Sequence, residues 1–251
     1  MKDIKEIAGD TLRGCRKITC RGLPLIKFKN ASGIEELRNG IMHMRSLNQY
    51  REYAQKSLTI GDDYEALFHV NRGTMVIMSG GKEKVISVKG LNNALLPTTH
   101  SNDFAFCMFC FDNNLDRSEF TATQKSEMLT FGDTALIITD SCEFIKRIKI
   151  ALQSKGIPSD KLYHGKVRYY DETVDSVNTY LSLLYGVQNV AFLKRNRYSY
   201  QQEYRFLIPN TENKNCYDLE IGSIHDISEV VKASQLLDSY VINQSNNKYQ
   251  V

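Results

Sequence analysis

The segment Phe192-Leu-Lys-Arg-Asn-Arg-Tyr-Ser-Tyr-Gln-Gln-Glu-Tyr-Arg-Phe-Leu-Ile-Pro209 combines cations, a carboxylate and aromatic rings in one short stretch. It reads as a basic, aromatic loop running into a strand over Tyr200 to Ile208. Period-two alternation puts Tyr204, Phe206 and Ile208 on the buried face and Gln201, Glu203 and Arg205 on the other. A carboxamide and a carboxylate then stand side by side on a rigid element. Breaking an N-glycosidic bond builds positive charge at the anomeric carbon, and a fixed carboxylate beside it gains most where water is excluded. Glu203 is the candidate catalytic carboxylate. Gln201, which carries no charge, would orient a nucleophile. The plain alternative is a solvated Glu203–Arg205 pair on a strand face, worth about 0–1 kcal/mol and without function.

Lys194, Arg195 and Arg197 alternate with Tyr198 and Tyr200. That pattern suits single-stranded nucleic acid, with phosphates on the cations and bases on the rings at about 1–3 kcal/mol per stacked base. A solvated basic loop and a tyrosine-rich protein interface are the competing readings. Asp62, Asp63 and Glu65 could bind Mg²⁺, which would suit a metal-dependent nuclease, but a turn cap explains them equally well. The 5 histidines show neither HxxxH nor HExxH spacing, so no metal site is expected. Cys107 and Cys110 form a CxxC inside the apolar run Phe104–Phe111, where a strand turns the two thiols to opposite faces.

The elements that must position these groups belong to an ordinary globular chain. Its 251 residues are 42% hydrophobic and 24% charged, with 4 Pro and 15 Gly, which argues against fibrous or disordered classes. A net charge of +3, from 32 basic and 29 acidic side chains, is far from the footprint of a dedicated duplex-DNA binder. No apolar run approaches the roughly 20 residues of a membrane helix, and no signal core follows the charged start, so the expectation is a cytoplasmic protein with no membrane contact.

Strands are expected at Leu25–Phe28, Ile41–Leu47, Ala105–Asp112, Thr134–Thr139, Lys166–Tyr170 and Tyr217–Ile221, with a hairpin of Thr74–Met78 and Lys84–Val88. Helices are expected at Ser32–Arg38, capped by Ser32, at Asn48–Gln55, Cys142–Ser154 and Val174–Leu184. Strands dominate and helices do not alternate with them strictly, so the fold class is α+β, a strand-rich single domain over residues 1–242 with a polar tail at 243–251. No GxGxxG or GxxxxGK[ST] cradle is present.

Leu37–Leu47 with Tyr50-Arg51-Glu52, Gly61–Glu65, Cys107–Phe111, Met128–Asp140, Gly165–Tyr170 and Tyr200–Arg205 resemble an uncharacterised bacterial family linked to phage defence, over residues 25–225. More remotely, the order of elements is similar to ADP-ribosyltransferases of the DarT-like toxin type, in which a late strand carries [Gln/Glu]-x-Glu. The resemblance implies a mixed-sheet core with flanking helices and NAD as the substrate that supplies ADP-ribose. It places Glu203 on the nicotinamide-ribose hydroxyl, Gln201 two positions before it, Arg45 and Ser46 on the NAD phosphate and ribose, and Tyr50 or Tyr53 against the nicotinamide ring. It further implies a toxin or phage-defence effector, and toxicity implies an antitoxin as partner. Where this reading and that of the basic, aromatic run both hold, RNA or DNA is the acceptor, contacted by Lys194, Arg195, Arg197 and Tyr198. A non-enzymatic defence or partner-binding module is the rival expectation, and a metal-dependent nuclease the weaker one.

Overall fold

The computed structural model describes residues 16–54, 61–79, 82–97, 100–111, 120–171 and 187–245. The architecture is α+β. Contacts divide the chain into two compact units, each assembled from separated stretches. The helix expected at Val174–Leu184 lies outside the described residues.

The first unit comprises the described parts of Met1–Met42, Met108–Ser159 and Leu219–Val251. Strand β2 (Leu25–Lys29) pairs antiparallel with β7 (Thr134–Ile138), and β7 pairs antiparallel with β13 (Ser228–Lys232). All residues of β7 after Thr134 are buried, as a central apolar strand should be. Phe28, Phe109, Phe111 and Phe120 form an aromatic cluster, with the rings of Phe109 and Phe111 in an edge-to-face contact at 4.9 Å. Helix α1 (Ala31–Arg38) is capped by Asn30, whose side chain accepts from the Gly33 N–H, so the cap falls before the expected Ser32. A capping box also sets α3 (Ala122–Met128), where Thr121 and Gln124 bond each other's backbone. Asp140 caps α4 (Ser141–Ser154) through the Glu143 N–H.

Strand β1 (Arg16–Arg21) pairs parallel with β14 (Tyr240–Ser245), in register from Arg16–Tyr240 to Arg21–Ser245. This corrects the expected polar tail from 243 onward: Asn243, Gln244 and Ser245 belong to the strand. Backbone pairing needs no apolar side chain, which is why composition alone suggested fraying there.

The second unit comprises His43–Cys107 and Asp160–Asp218 in their described parts. Strand β3 (Ile41–Ser46) pairs here with β6 (Phe104–Cys110) through Arg45–Ala105 and Ser46–Phe104, then leads directly into α2 (Leu47–Ala54). The expected hairpin is present and longer than its sequence signal, joining β4 (Leu67–Ser79) to β5 (Lys82–Pro97) with a register shift between Arg72 and Thr74. The single strand expected at 166–170 is two, β8 (Tyr163–Lys166) and β9 (Arg168–Tyr170). Strand β10 (Leu193–Arg195) pairs parallel with β9, and β11 (Glu203–Ile208) pairs antiparallel with β8. The remaining strand is β12 (Cys216–Glu220), and α5 (Ala233–Ser239) lies in the first unit. Leu47, Ala66, Ala105, Ala191 and Leu207 form the apolar core of the second unit, with Tyr50, Cys107, Tyr163 and Phe192 packed on it.

Gly40 ends α1 at φ +99, and a Cβ there would lie 2.4 Å from the Gly222 carbonyl. Gly40→Ala is expected to lower stability by at least about 1–2 kcal/mol from the positive φ alone, read as a lower urea midpoint at unchanged slope.

Candidate functional site

The site grows from the junction between a 3₁₀ turn and β11. The turn spans Asn196–Gln201 and closes on Gln202, whose φ of 37° and ψ of 53° are left-handed. A non-glycine residue there persists only where its surroundings fix it, and here Lys194 and Tyr198 do so from below. The Tyr198 hydroxyl donates to the Gly61 carbonyl at 3.0 Å, and Lys194 Nζ donates to Gln201 Oε1 at 2.7 Å. Gln201 therefore sits on the turn and not on the strand, which begins at Glu203.

All six residues of β11 are buried, so no outward polar face exists. Glu203 and Arg205 do pair, but in the interior: Arg205 Nε and Nη2 donate to Glu203 Oε1 at 2.9 and 2.7 Å. The Arg205 side chain is 1% exposed. Its Nη1 donates to Glu65 Oε1 at 2.7 Å and to the Ala191 carbonyl. Lys194 Nζ donates to Glu203 Oε2 at 3.0 Å and stands 3.8 Å from Glu65 Oε2. Two carboxylates and two cations thus close on one another in the interior. The backbone of Glu203 is fixed as well, its N–H donating to the Tyr169 hydroxyl at 2.9 Å and its carbonyl accepting from Val167 at 2.8 Å.

Burial alone would raise the Glu203 carboxyl, but Arg205 and Lys194 override it, and a hydrogen bond from Cys107 adds to them, holding Glu203 well below the usual carboxylate range. Burial would likewise lower Lys194, yet Glu203 and Glu65 raise it, so the ammonium stays charged. The Tyr50 hydroxyl is pushed up by burial first and then by the charges of Cys107 and Glu203. Tyr169 is raised by burial and by Glu203. Glu203 is accordingly held as an anion at neutral pH and is not a proton donor there.

A second ion cluster lies beside the first. Arg195 Nη2 donates to Asp62 and Asp63, its guanidinium lies 4.1 Å over the Tyr64 ring, and its Nε is buried without a partner. Asp62 accepts the Tyr64 N–H at 3.0 Å, the turn-cap geometry. Burial and the neighbouring Glu65 raise the Asp62 carboxyl despite Arg195. Arg51 braces the same turn, donating to the Glu65 carbonyl at 2.7 Å and the Ser101 carbonyl at 2.9 Å. The acidic knot therefore holds guanidinium groups. Among the described residues, no group of three or more His, Cys, Asp or Glu is arranged to hold a metal.

The residues assigned to the NAD phosphate, ribose and ring divide. Ser46 is fully buried and its hydroxyl accepts the Gln49 N–H at 3.3 Å, so it caps α2. Arg45 donates to the Tyr53 hydroxyl and lies 5.0 Å over the Tyr53 ring. Tyr50 packs on the core beside Cys107, within the field of Glu203, Arg205 and Arg45. The four residues assigned to nucleic acid divide too. Lys194, Arg195 and Tyr198 are buried; Arg197 alone is exposed, bonded to the Tyr198 hydroxyl at 3.1 Å. Glu65, Arg51, Tyr169 and Cys107 were not singled out for this site by sequence. Only for Glu65 was there a signal, the acidic run at 62–65 that balances the basic run at 194–197.

Comparison with protein-family models, with curated proteins and with solved structures finds no match for this chain. Among the described residues, no helix is long and apolar enough to cross a membrane.

Arg205→Met leaves Glu203 and Glu65 buried with the ion pairs to Lys194 but without those to Arg205. It should cost about 3–5 kcal/mol in chemical denaturation. Because the folded Glu203 carboxyl lies below its unfolded value of about 4.3, its stabilisation is present above that pH and fades as acid protonates it. The stability gap between wild type and Glu203→Gln should therefore be widest at neutral pH and narrow below about pH 4.3.

Proposed function

We propose that this chain is an NAD-dependent ADP-ribosyltransferase, a bacterial toxin or phage-defence effector that modifies RNA or DNA, with Glu203 as its catalytic carboxylate. The observation that carries the reading is a carboxylate held ionised and fixed in orientation at the head of a strand, within a buried group of charged and phenolic side chains. Buried charge of this kind is costly, and such clusters concentrate at functional sites. In the transfer, the bond from the ribose C1′ to nicotinamide breaks with its electron pair leaving on the nicotinamide nitrogen. A nucleophilic atom of the acceptor then bonds C1′ and loses its proton to solvent. Glu203 remains ionised throughout, hydrogen-bonded to the ribose hydroxyl, and its charge stabilises the cationic carbon. Arg45 is the half-buried cation that remains to meet a phosphate, while Arg197 and the half-buried Tyr200 are left to meet a nucleic acid. A toxin of this kind would need a neutralising antitoxin protein.

A second reading rests on a specific observation. Both oxygens of Glu203 already hold cations, as a purely structural network would require, and the protein would then be a non-enzymatic defence or partner-binding module.

The test incubates purified protein with labelled NAD and separate pools of RNA, DNA and protein. Wild type should transfer label to nucleic acid, and Glu203→Gln, shown folded by its thermal melt, should lose roughly a hundredfold or more. Equal transfer by both forms contradicts the role of Glu203. No turnover by either favours the binding module.

A further inference from the structure

The transferase reading leaves one feature unused: the carboxylate meant for a substrate already grips a cation. Lys194 Nζ lies 2.7 Å from Gln201 Oε1, 3.0 Å from Glu203 Oε2 and 3.8 Å from Glu65 Oε2. It also stands 5.0 Å from the centroid of the Tyr198 ring. A carboxamide oxygen, two carboxylates and an aromatic face are what recognises a positive group. Lys194 reaches this cage from β10, a strand of 3 residues, while Gln201 and Glu203 come from the braced turn and β11. Apart from Lys194, the cage is anchored by Tyr198 on the Gly61 carbonyl and by Arg205 and Tyr169 on Glu203, while its occupant hangs from a short strand.

Charge arithmetic gives the consequence. Glu203 and Glu65 carry two negative charges, and Arg205 and Lys194 carry two positive ones, so the group is neutral. A neutral group has little to offer a carbon becoming positive. With the ammonium gone, one net negative charge remains beside Glu203.

We propose that Lys194 is an autoinhibitory plug, its ammonium occupying the cation-recognising end of the Glu203 site and restraining NAD cleavage until the side chain withdraws. The inference rests on the transferase reading. Withdrawal removes the Lys194 bonds to Glu203 Oε2 and Gln201 Oε1 and turns both groups toward the sugar, and the bonds made and broken are those of the transfer itself.

The experiment measures nicotinamide release from NAD by wild type, Lys194→Met, Lys194→Gln and the double variant Lys194→Met/Glu203→Gln. Methionine removes the charge within similar volume. Glutamine keeps a neutral donor toward Glu203, and serves if thermal melts show that the methionine variant does not fold. The folded single variants should release nicotinamide roughly tenfold faster than wild type or more, and the double variant should fall to background. Ethylammonium chloride, a soluble copy of the missing tip, should inhibit the single variants by refilling the cage and leave wild type unaffected. If wild type cleaves NAD in a Glu203-dependent manner and the folded Lys194 variants are no faster, the plug is wrong and the transferase reading stands. If no folded form releases nicotinamide, both fall together.

Discussion

The second unit depends on the guanidinium of Arg205 finding a partner for its charge where water cannot reach. It heads the largest fully buried side chains among the described residues. An unpaired cation in that position would cost several kcal/mol, so the surroundings must supply anions or the chain must fold otherwise. Four groups from three stretches of the chain answer the demand. Glu203 comes from the same strand, Glu65 from the turn before β4, the Ala191 carbonyl from the 3₁₀ turn at Val187–Phe192, and Lys194 balances what remains. None of these groups is stable there alone. The network therefore acts as a specificity device as much as a source of stability, since a shift of any stretch strands a charge.

The same network organises the surface above it. Lys194 holds Gln201, Arg195 holds Asp62 and Asp63, and Tyr198 holds Gly61, so the turn at Asn196–Gln201 is tied from beneath at three points. The left-handed Gln202 is the strain left by that bracing. Asn196, Arg197 and Ser199 are then presented to solvent on a rigid base. A segment that reads as a loose basic loop is in fact a fixed platform with most of its charge turned inward.

The sequence is informative about periodicity and weak on partners. The apolar runs at Phe104–Cys110 and Ala135–Ile138 are strands because a short uninterrupted apolar run suits a strand buried on both faces, and Leu25–Phe28 joins them although Lys27 interrupts it. The α+β class followed from their order. The 3₁₀ turn at 196–201 was hidden because Tyr-x-Tyr-Gln-Gln-Glu-Tyr carries strand propensity, and only the tertiary grip of Lys194 and Tyr198 overrides it. Strand β14 was hidden because its outer half is polar. Residue types pointed to Glu203 and to the run 194–198, and the fold brings Lys194 of that run into hydrogen-bond contact with Glu203. The direction of the cations was not legible. A basic run and an acidic run over a hundred residues apart each look solvated until the fold brings them together, and nothing in local spacing reveals that Lys194 and Arg195 meet Glu65, Asp62 and Asp63.

The claim that Glu203 is a buried carboxylate ionised well below the ordinary range can be read directly. In protein labelled with ¹³C at the glutamate side-chain carboxyl, the Glu203 resonance is the one lost in Glu203→Gln. Acidified from neutral pH, that resonance should show no titration through the ordinary glutamate range near pH 4.3, while exposed glutamates titrate there. A midpoint for Glu203 at that ordinary value would contradict the account, because a carboxyl clasped by Arg205 and Lys194 in the interior cannot behave as one in water.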